Sequence, residues 1–227
     1  MNVILIPYRN REEHLKYFIE NSYPILKKIL KKVQIIIVEQ TSDKLFNRGK
    51  LLNIGFHEYK NEAEYFFTHD VDLNPTIETI EKFYTKNVKD NEIMGIYTSA
   101  CNTLGGIIKF KKEAYIKING FPNEIWGWGT EDKALQNRAE FKDINISKNI
   151  LNSDSNKDQY FKIFNDVDDR IKVNMNKNWV LHYRLFEKLN NDEKEKQIMS
   201  DGLNNLTYKI RNIEEINKDI KKLTVEI

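Results

Sequence analysis

Three short apolar runs limit what this chain can become: NVILI at residues 2–6, VQIIIV at 33–38 and AEYFFTH at 63–69. Each is strand-length and rich in β-branched or aromatic side chains, the pattern of strands buried on both faces. The stretches between them carry helical spacing instead. Leu15, Phe18, Ile19, Ile25, Leu26, Ile29 and Leu30 mark one helix, which Pro24 should kink or split. Leu51, Leu52, Ile54, Phe56 and Tyr59 mark another. Strand, helix, strand, helix, strand predicts an α/β fold around a parallel sheet. Such sheets bind ligands at the carboxyl ends of their strands. Arg9 and Arg11 follow the first strand, Glu39 and Gln40 end the second, and Asp70 and Asp72 follow the third.

The second half opens with IMGIYTS (93–99) and GGIIKF (105–110), read as strands, Gly105 and Gly106 permitting close backbone approach. KKEAYIKING is a short helix ended by Gly120 and Pro122. Then comes FPNEIWGWGTED (121–132), where Gly127 and Gly129 alternate with Trp126 and Trp128. Glycine between two indoles lets the backbone turn tightly, which predicts a mobile aromatic loop. Thr130 is placed to cap a helix with Ala134, Leu135, Ala139 and Phe141 on its apolar face, so Glu131 and Asp132 fall in its first turn. Indole faces suit sugar rings, and a held carboxylate suits a general base; a buried Trp pair with capping acids is the plainer alternative. Residues 145–178 are polar and patternless apart from YFKIF, and read as a long loop or insertion. WVLHYR reads as a strand carrying His182, residues 187–202 as a surface helix, and NNLTYKI and KLTVEI as closing strands. With no repeat or linker, residues 1–227 read as a single domain.

Asp70 and Asp72 at a strand end are either a divalent-cation site or a solvated turn. Hard oxygen ligands with one imidazole would suit Mn²⁺, with Mg²⁺ as the alternative. Arg9, Arg11 and Arg48 are suited to a diphosphate through the planar guanidinium fork. With 36 basic and 34 acidic side chains the net charge is +2, which points to neither nucleic acid nor an anionic membrane. A lone cysteine, Cys101, excludes an internal disulfide and fits a reducing compartment. The apolar start is too short for a signal peptide or a membrane span, so a soluble, cytoplasmic protein is expected. The abundance of asparagine and lysine is read as coding composition.

IPYRNREEHLKYF, FNRGKLLNIGF, HDVDL, the paired glycines, INGFPNEIWGWGTED and SDGLNNLTYKI occur in this order. Together they resemble the β-1,4-galactosyltransferase family, over nearly the whole chain except 145–178. The resemblance implies a GT-A fold, with residues 1–110 mainly binding a nucleotide sugar and 111–227 mainly binding acceptor and carrying the catalytic loop. It implies an inverting transfer from a UDP-sugar, UDP-Gal in the family's galactosyl-transferring members, to a carbohydrate acceptor. Pro7, Tyr8, Arg9, Arg11, Phe46, Arg48, Asp70, Val71, Asp72, Thr103, Gly106 and Trp128 would meet the donor. Asp72 and His182 would hold the metal. Glu131, Asp132 and Trp128 would meet the acceptor, with Asp132 the catalytic base.

Three departures from the family pattern stand out. Trp179 and Val180 occupy the positions where animal members place another metal ligand, which argues for weaker metal affinity and, as a rival reading, for a catalytically silent nucleotide-sugar or carbohydrate binder. A metal-dependent phosphohydrolase would share Asp-x-Asp but leaves the Trp loop and second acid pair unexplained. Lys133 replaces a third acid and changes the charge offered to acceptor. Thr103 replaces a bulkier Tyr, leaving room at C2 of the donor sugar. UDP-GalNAc is therefore expected to serve as donor; initial rates that strongly favour UDP-Gal would retire that expectation.

Overall fold

The computed structural model describes residues 1–41, 44–98, 103–151, 153–164 and 174–227; Cys101 lies outside them. The three apolar runs become β1 (Asn2–Tyr8), β2 (Val33–Gln40) and β3 (Tyr65–His69). β1 pairs in parallel with both neighbours, so Tyr8 lies opposite Glu39 and the carboxyl ends line one edge. The remaining strands are β4 (Leu73–Pro75), β5 (Glu92–Thr98), β6 (Ile107–Lys111), β7 (Asn145–Leu151), β8 (Phe161–Ile163), β9 (Lys209–Asn217) and β10 (Ile220–Glu226). The main sheet has the order β7-β5-β6-β3-β1-β2-β10-β9, while β4 and β8 form a separate ribbon. Its pairings are parallel except β3 with β6, β5 with β6 and β9 with β10.

Both faces of the sheet are covered. Val3 and Leu5 face one core, with Ile36, Val38, Phe56 and Leu135. Ile4 and Ile6, alternating with them, face the other, with Phe18, Leu26, Ile80 and Tyr84. The second layer comes from α1 (Glu12–Tyr17) and α2 (Tyr23–Leu30), joined by a π-helical turn at Phe18–Ser22. Pro24 is the second residue after that wide turn. Having no N–H for the carbonyl four residues back, it disrupts the ladder where the turn can absorb the mismatch. On the first layer α3 (Arg48–Tyr59) is capped by Asn47, whose side chain accepts from Lys50 N at 2.9 Å. Gly55 lets α3 sit low on the sheet, since a Cβ there would lie 3.0 Å from Val38.

Shorter helices follow: α4 (Ile77–Thr79), continued by a π-helical turn at Ile80–Tyr84, α5 (Lys112–Lys117), α6 (Glu131–Phe141) and α7 (Lys157–Tyr160). After them come α8 (Met175–Trp179), α9 (Leu185–Lys188) and α10 (Asn191–Ser200).

Three expectations are corrected. Residues 145–178 are not one loop, since β7, α7, β8 and α8 lie within them. WVLHYR is helical, α8 running through a π-helical turn at Val180–Arg184 into α9. A short apolar run does not by itself separate strand from helix, and here Trp179 packs on Tyr183 four residues later, with ring centroids 4.2 Å apart. The first closing strand starts only at Lys209 and is carried by charged RNIEEIN. Among the described residues no helix is long and apolar enough to cross a membrane.

Phe56 is fully buried, its ring 5.0 Å from Phe66 and 4.6 Å from Tyr115. Phe56→Ala is expected to cost about 3–5 kcal/mol in urea unfolding; a loss below 1 kcal/mol would contradict this packing.

Candidate active site

The carboxyl edge of β1 and β3, with the loop before α3, encloses a cleft of about 340 Å³. It is lined by Pro7, Arg9, Asn10, Arg11, Phe46, Arg48, Asp70, Val71 and Asp72. Arg9 donates to Lys44 O at 2.6 Å and lies 5.2 Å over the Phe46 ring. Burial pulls its guanidinium below the usual arginine range. Tyr8 is buried behind the cleft, its hydroxyl accepting from Arg11 N at 3.4 Å. Burial raises that phenol, against the lowering pull of the bond from Arg11.

Arg48 opens α3 and crosses to two other elements. Its Nε donates to Asp70 Oδ1 at 2.7 Å and its Nη1 to Asp132 Oδ1 at 3.0 Å. Burial opposes the charge, but Asp70, Asp132 and Glu131 outweigh it and hold Arg48 firmly protonated. Its Nη2 is buried without a protein partner, as is Glu131 Oε2. A planar guanidinium with two of its three nitrogens engaged and the third without a protein partner is shaped for a further acceptor.

Asp132 begins α6 beside Glu131. Burial raises its carboxyl well above the usual range; Arg48 opposes this, while Glu131 and Asp70 add to it. Glu131 is likewise raised by burial against Arg48. A helix N-terminus alone would favour the ionised, weakly basic form; burial restores basicity. Thr130 does not cap this helix as expected: its φ is +83° and its side chain makes no cap bond. The preceding glycines have left-handed backbone, φ +90° at Gly127 and +85° at Gly129. Trp128 is 38% exposed, while Asn178 donates to Trp126 O at 3.1 Å and Trp128 O at 3.3 Å.

The turn before β6 closes the floor. Gly106, with φ +65°, accepts from Asp70 N at 3.0 Å. A Cβ on Gly105 would sit 2.1 Å from Asp132 Oδ2, so the acid packs against bare backbone. Thr103, two residues before Gly105, is buried. His69 went unremarked in the sequence. Its Nδ1 donates to Asp70 O at 2.9 Å and its Nε2 accepts from Tyr84 at 2.8 Å. Burial lowers it to about 4, against the raising bond to Asp70, so it is a neutral prop behind Asp70.

His182 is not among the residues lining the cleft that holds Asp72. It lines a separate cavity of about 580 Å³ with Glu124, Trp126, Lys177 and Asn178. Burial lowers its imidazole, and the charges acting on it are Asp201, Arg138 and Glu124. Among the described residues no three acidic, His or Cys side chains converge as a metal cage. Asp70, bonded to Arg48, and Asp72 both line the cleft. One carboxylate beside a diphosphate-sized cleft still fits a hard divalent cation, which is commonly held by one or two carboxylates with substrate phosphates.

A sheet with this edge cleft, and a helix-borne acid beside it, defines a GT-A-type glycosyltransferase fold. Drosophila β-1,4-galactosyltransferase 7, solved with xylobiose, superposes with TM-score 0.77 at 22% identity, covering 100% of this chain and 93% of that one. A mutant of the same enzyme, solved with manganese, UDP-Gal and xylobiose, superposes equally well. The sequence profile for the N-terminal region of glycosyl transferase group 7 matches residues 1–85, and that for the N-terminal domain of galactosyltransferase matches 91–163. β-1,4-Galactosyltransferase 4 of Cricetulus griseus is 34% identical over 219 residues, covering 93% of this chain and 59% of its own length. Human β-1,4-galactosyltransferase 1 is 31% identical over 220 residues, covering 93% and 51%. The chain belongs to the β-1,4-galactosyltransferase family, and spans somewhat over half the length of these two relatives.

Gly105→Ala is expected to drive Asp132 off Arg48, at an overpacking cost of about 1–3 kcal/mol. Denaturant unfolding and a crystal structure of the variant check this; an undisturbed Arg48–Asp132 contact would refute it.

Proposed function

We propose that this chain is an inverting glycosyltransferase that moves galactose or N-acetylgalactosamine from a UDP-sugar to a sugar hydroxyl, in a β-1,4 linkage. The observation that carries the reading is Arg48, which bonds Asp70 in the cleft and Asp132 at the helix terminus at once. Donor pocket and proton acceptor thereby belong to one site. Residues 1–110 supply most of the nucleotide-sugar side and 111–227 most of the acceptor side.

In this reading the diphosphate lies in the cleft against Arg9 and Arg11, and the vacant Arg48 Nη2 donates to the donor. Asp132 accepts the proton of the acceptor hydroxyl. The acceptor oxygen bonds to the anomeric carbon as the bond to the β-phosphate oxygen breaks, and the electron pair leaves with UDP. The in-line geometry inverts the anomeric centre. A Mn²⁺ or Mg²⁺ ion at Asp72, when bound, would supply Lewis acidity to the diphosphate. Glu131 orients the acceptor beside Asp132, and Trp128 offers the sugars an exposed indole face. Thr103 leaves space at C2 of the donor sugar, which favours N-acetylgalactosamine as well as galactose.

The second reading, a silent nucleotide-sugar binder, draws on His182 lining a cavity other than the one Asp72 lines. UDP release with a monosaccharide acceptor panel, with Mn²⁺ and with Mg²⁺, decides between them: UDP binding without release under any combination would favour the binder. Asp132→Asn is expected to lower turnover ~10²–10⁴-fold while leaving UDP affinity within a few-fold; joint loss of both would make its role structural. Because burial raises the Asp132 carboxyl and a base acts only when ionised, kcat/KM should fall as pH drops through that raised value. Its acid limb should therefore lie above the value of an ordinary aspartate, about 4; a limb at or below that value would contradict the assignment.

A further inference from the structure

YFKIF at residues 160–164 has no part in the chemistry above, yet it ends beside the cleft. The cleft has two rims: Arg9, Asn10 and Arg11 after β1, and Asp70, Val71 and Asp72 after β3. The ladder between those two strands stops at Leu5 opposite Thr68, so it does not itself fix the spacing of the rims beyond it. β8 pairs antiparallel with β4, and one step past Leu73 opposite Ile163 the N–H of Phe164 donates to Asp72 O at 3.0 Å. The ring of the same residue lies on α1. It stacks on His14 with centroids 4.9 Å apart and planes 22° apart, and meets Tyr17 edge-on at 4.9 Å. α1 starts directly after Arg11, and its first turn closes on that residue through the 2.9 Å bond from Leu15 N to Arg11 O. Phe164 is thus bonded by its backbone to one rim and packed by its ring on the helix that continues the other. Lys162 Nζ, 4.1 Å over the Tyr17 ring, and Ser22 Oγ, donating to Asn74 Oδ1 at 2.8 Å, hold the ribbon along the same helical run.

A cation shared by an aspartate and a diphosphate needs its protein ligand and the phosphate donors at a kept separation. Groups standing behind a metal ligand commonly set such a separation, and small misplacements there are costly. Resting on the glycosyltransferase reading above, we infer that Phe164 is a positioning residue of the donor site. It keeps Asp72 in register with the arginine loop at 9–11, so that a divalent cation and a nucleoside diphosphate bind together. It acts through Asp72 and α1, not on the reacting atoms.

Calorimetric titration of the whole chain with UDP, once with Mn²⁺ and once with EDTA, gives the factor by which metal tightens UDP. Phe164→Ala should reduce that factor on the order of tenfold, as when a group that orients a metal ligand is lost. Metal-free UDP affinity, which draws on the arginine rim, should stay within a few-fold. Phe164→Tyr, which keeps the flat ring, should retain most of the factor. His14→Ala should reproduce part of the loss, and adding it to Phe164→Ala should lower the factor little further, because both act through one contact. If Phe164→Ala does not fold, Phe164→Leu, which keeps most of the apolar bulk without the ring, carries the same expectation. An unchanged factor in the folded variants, or equal weakening of UDP with and without metal, overturns the inference while leaving donor binding standing. Losses from His14→Ala and Phe164→Ala that simply multiply do the same, as does an unaltered chain whose UDP affinity ignores Mn²⁺. UDP that fails to bind the unaltered chain at all would instead bring down the transferase reading and this inference with it.

Discussion

The site depends on one guanidinium. Arg48 starts a helix, yet its bonds run to the loop after β3 and to the first turn of α6. Two carboxylates that would repel each other across a cleft are held together by the cation between them. Its side chain is only 12% exposed, so removing it would leave Asp70 and Asp132 facing each other with no compensating charge. Breaking such a buried pair from one side typically costs about 3–5 kcal/mol. The same bond sets the chemistry. Burial makes Asp132 more basic, Arg48 restrains that rise, and the balance fixes how readily the acid accepts a proton.

Around this contact stands a frame of amides. Asn47 accepts from Lys50 N to cap α3 and donates to Asn123 O at 2.6 Å. Asn53 donates to Phe121 O and Asn123 Oδ1 and accepts from Tyr115 and Phe121 N. Asn123 reaches on to Gly202 O and Asn205, and Arg138 ties Gly120 O to Asp201 O. The backbone that launches the Trp loop is thus pinned to α3, α6 and the segment after α10. Gly120 is needed for this, because a Cβ there would lie 2.3 Å from Asn53 Oδ1. Each buried polar atom in the frame finds a partner, which is how an amide-rich interior avoids the cost of desolvation.

How much of this could be read from the chain varies with the physics of each part. The three parallel strands were legible because burial on both faces demands unbroken apolar runs. The cleft was legible because strand ends in such a sheet converge on one edge, bringing Arg9, Arg48, Asp70 and Asp72 together. The Asp132 helix was legible, but its cap was not: Thr130 takes a left-handed backbone that its residue type does not announce. RNIEEIN was unreadable as a strand because β9 is an exposed edge with little apolar signal. The helical path of Val180–Arg184 turned on a local Trp179–Tyr183 contact, invisible to a count of apolar residues. The asparagines looked like coding bias, yet Asn47, Asn53, Asn178 and Asn205 all bond to the segment that leads into the acid-bearing helix. His182 lines a cavity other than the cleft, a placement that a match in sequence does not disclose.

β10 has a consequence for how the molecule comes into being. It lies in parallel beside β2, with Ile220 opposite Ile35 and Val225 opposite Gln40, and β9 lies outside it. The outer rim of VQIIIVEQ is therefore satisfied only by residues made far later on the ribosome. Until they emerge, an apolar strand of high β-propensity has unpaired N–H and C=O groups on one side, the arrangement that invites pairing with a neighbouring nascent chain. The charged β9 then shields the finished rim. Biogenesis, more than the folded state, is where this architecture is exposed to aggregation, and a holdase acting on the first half of the chain would matter most in that interval.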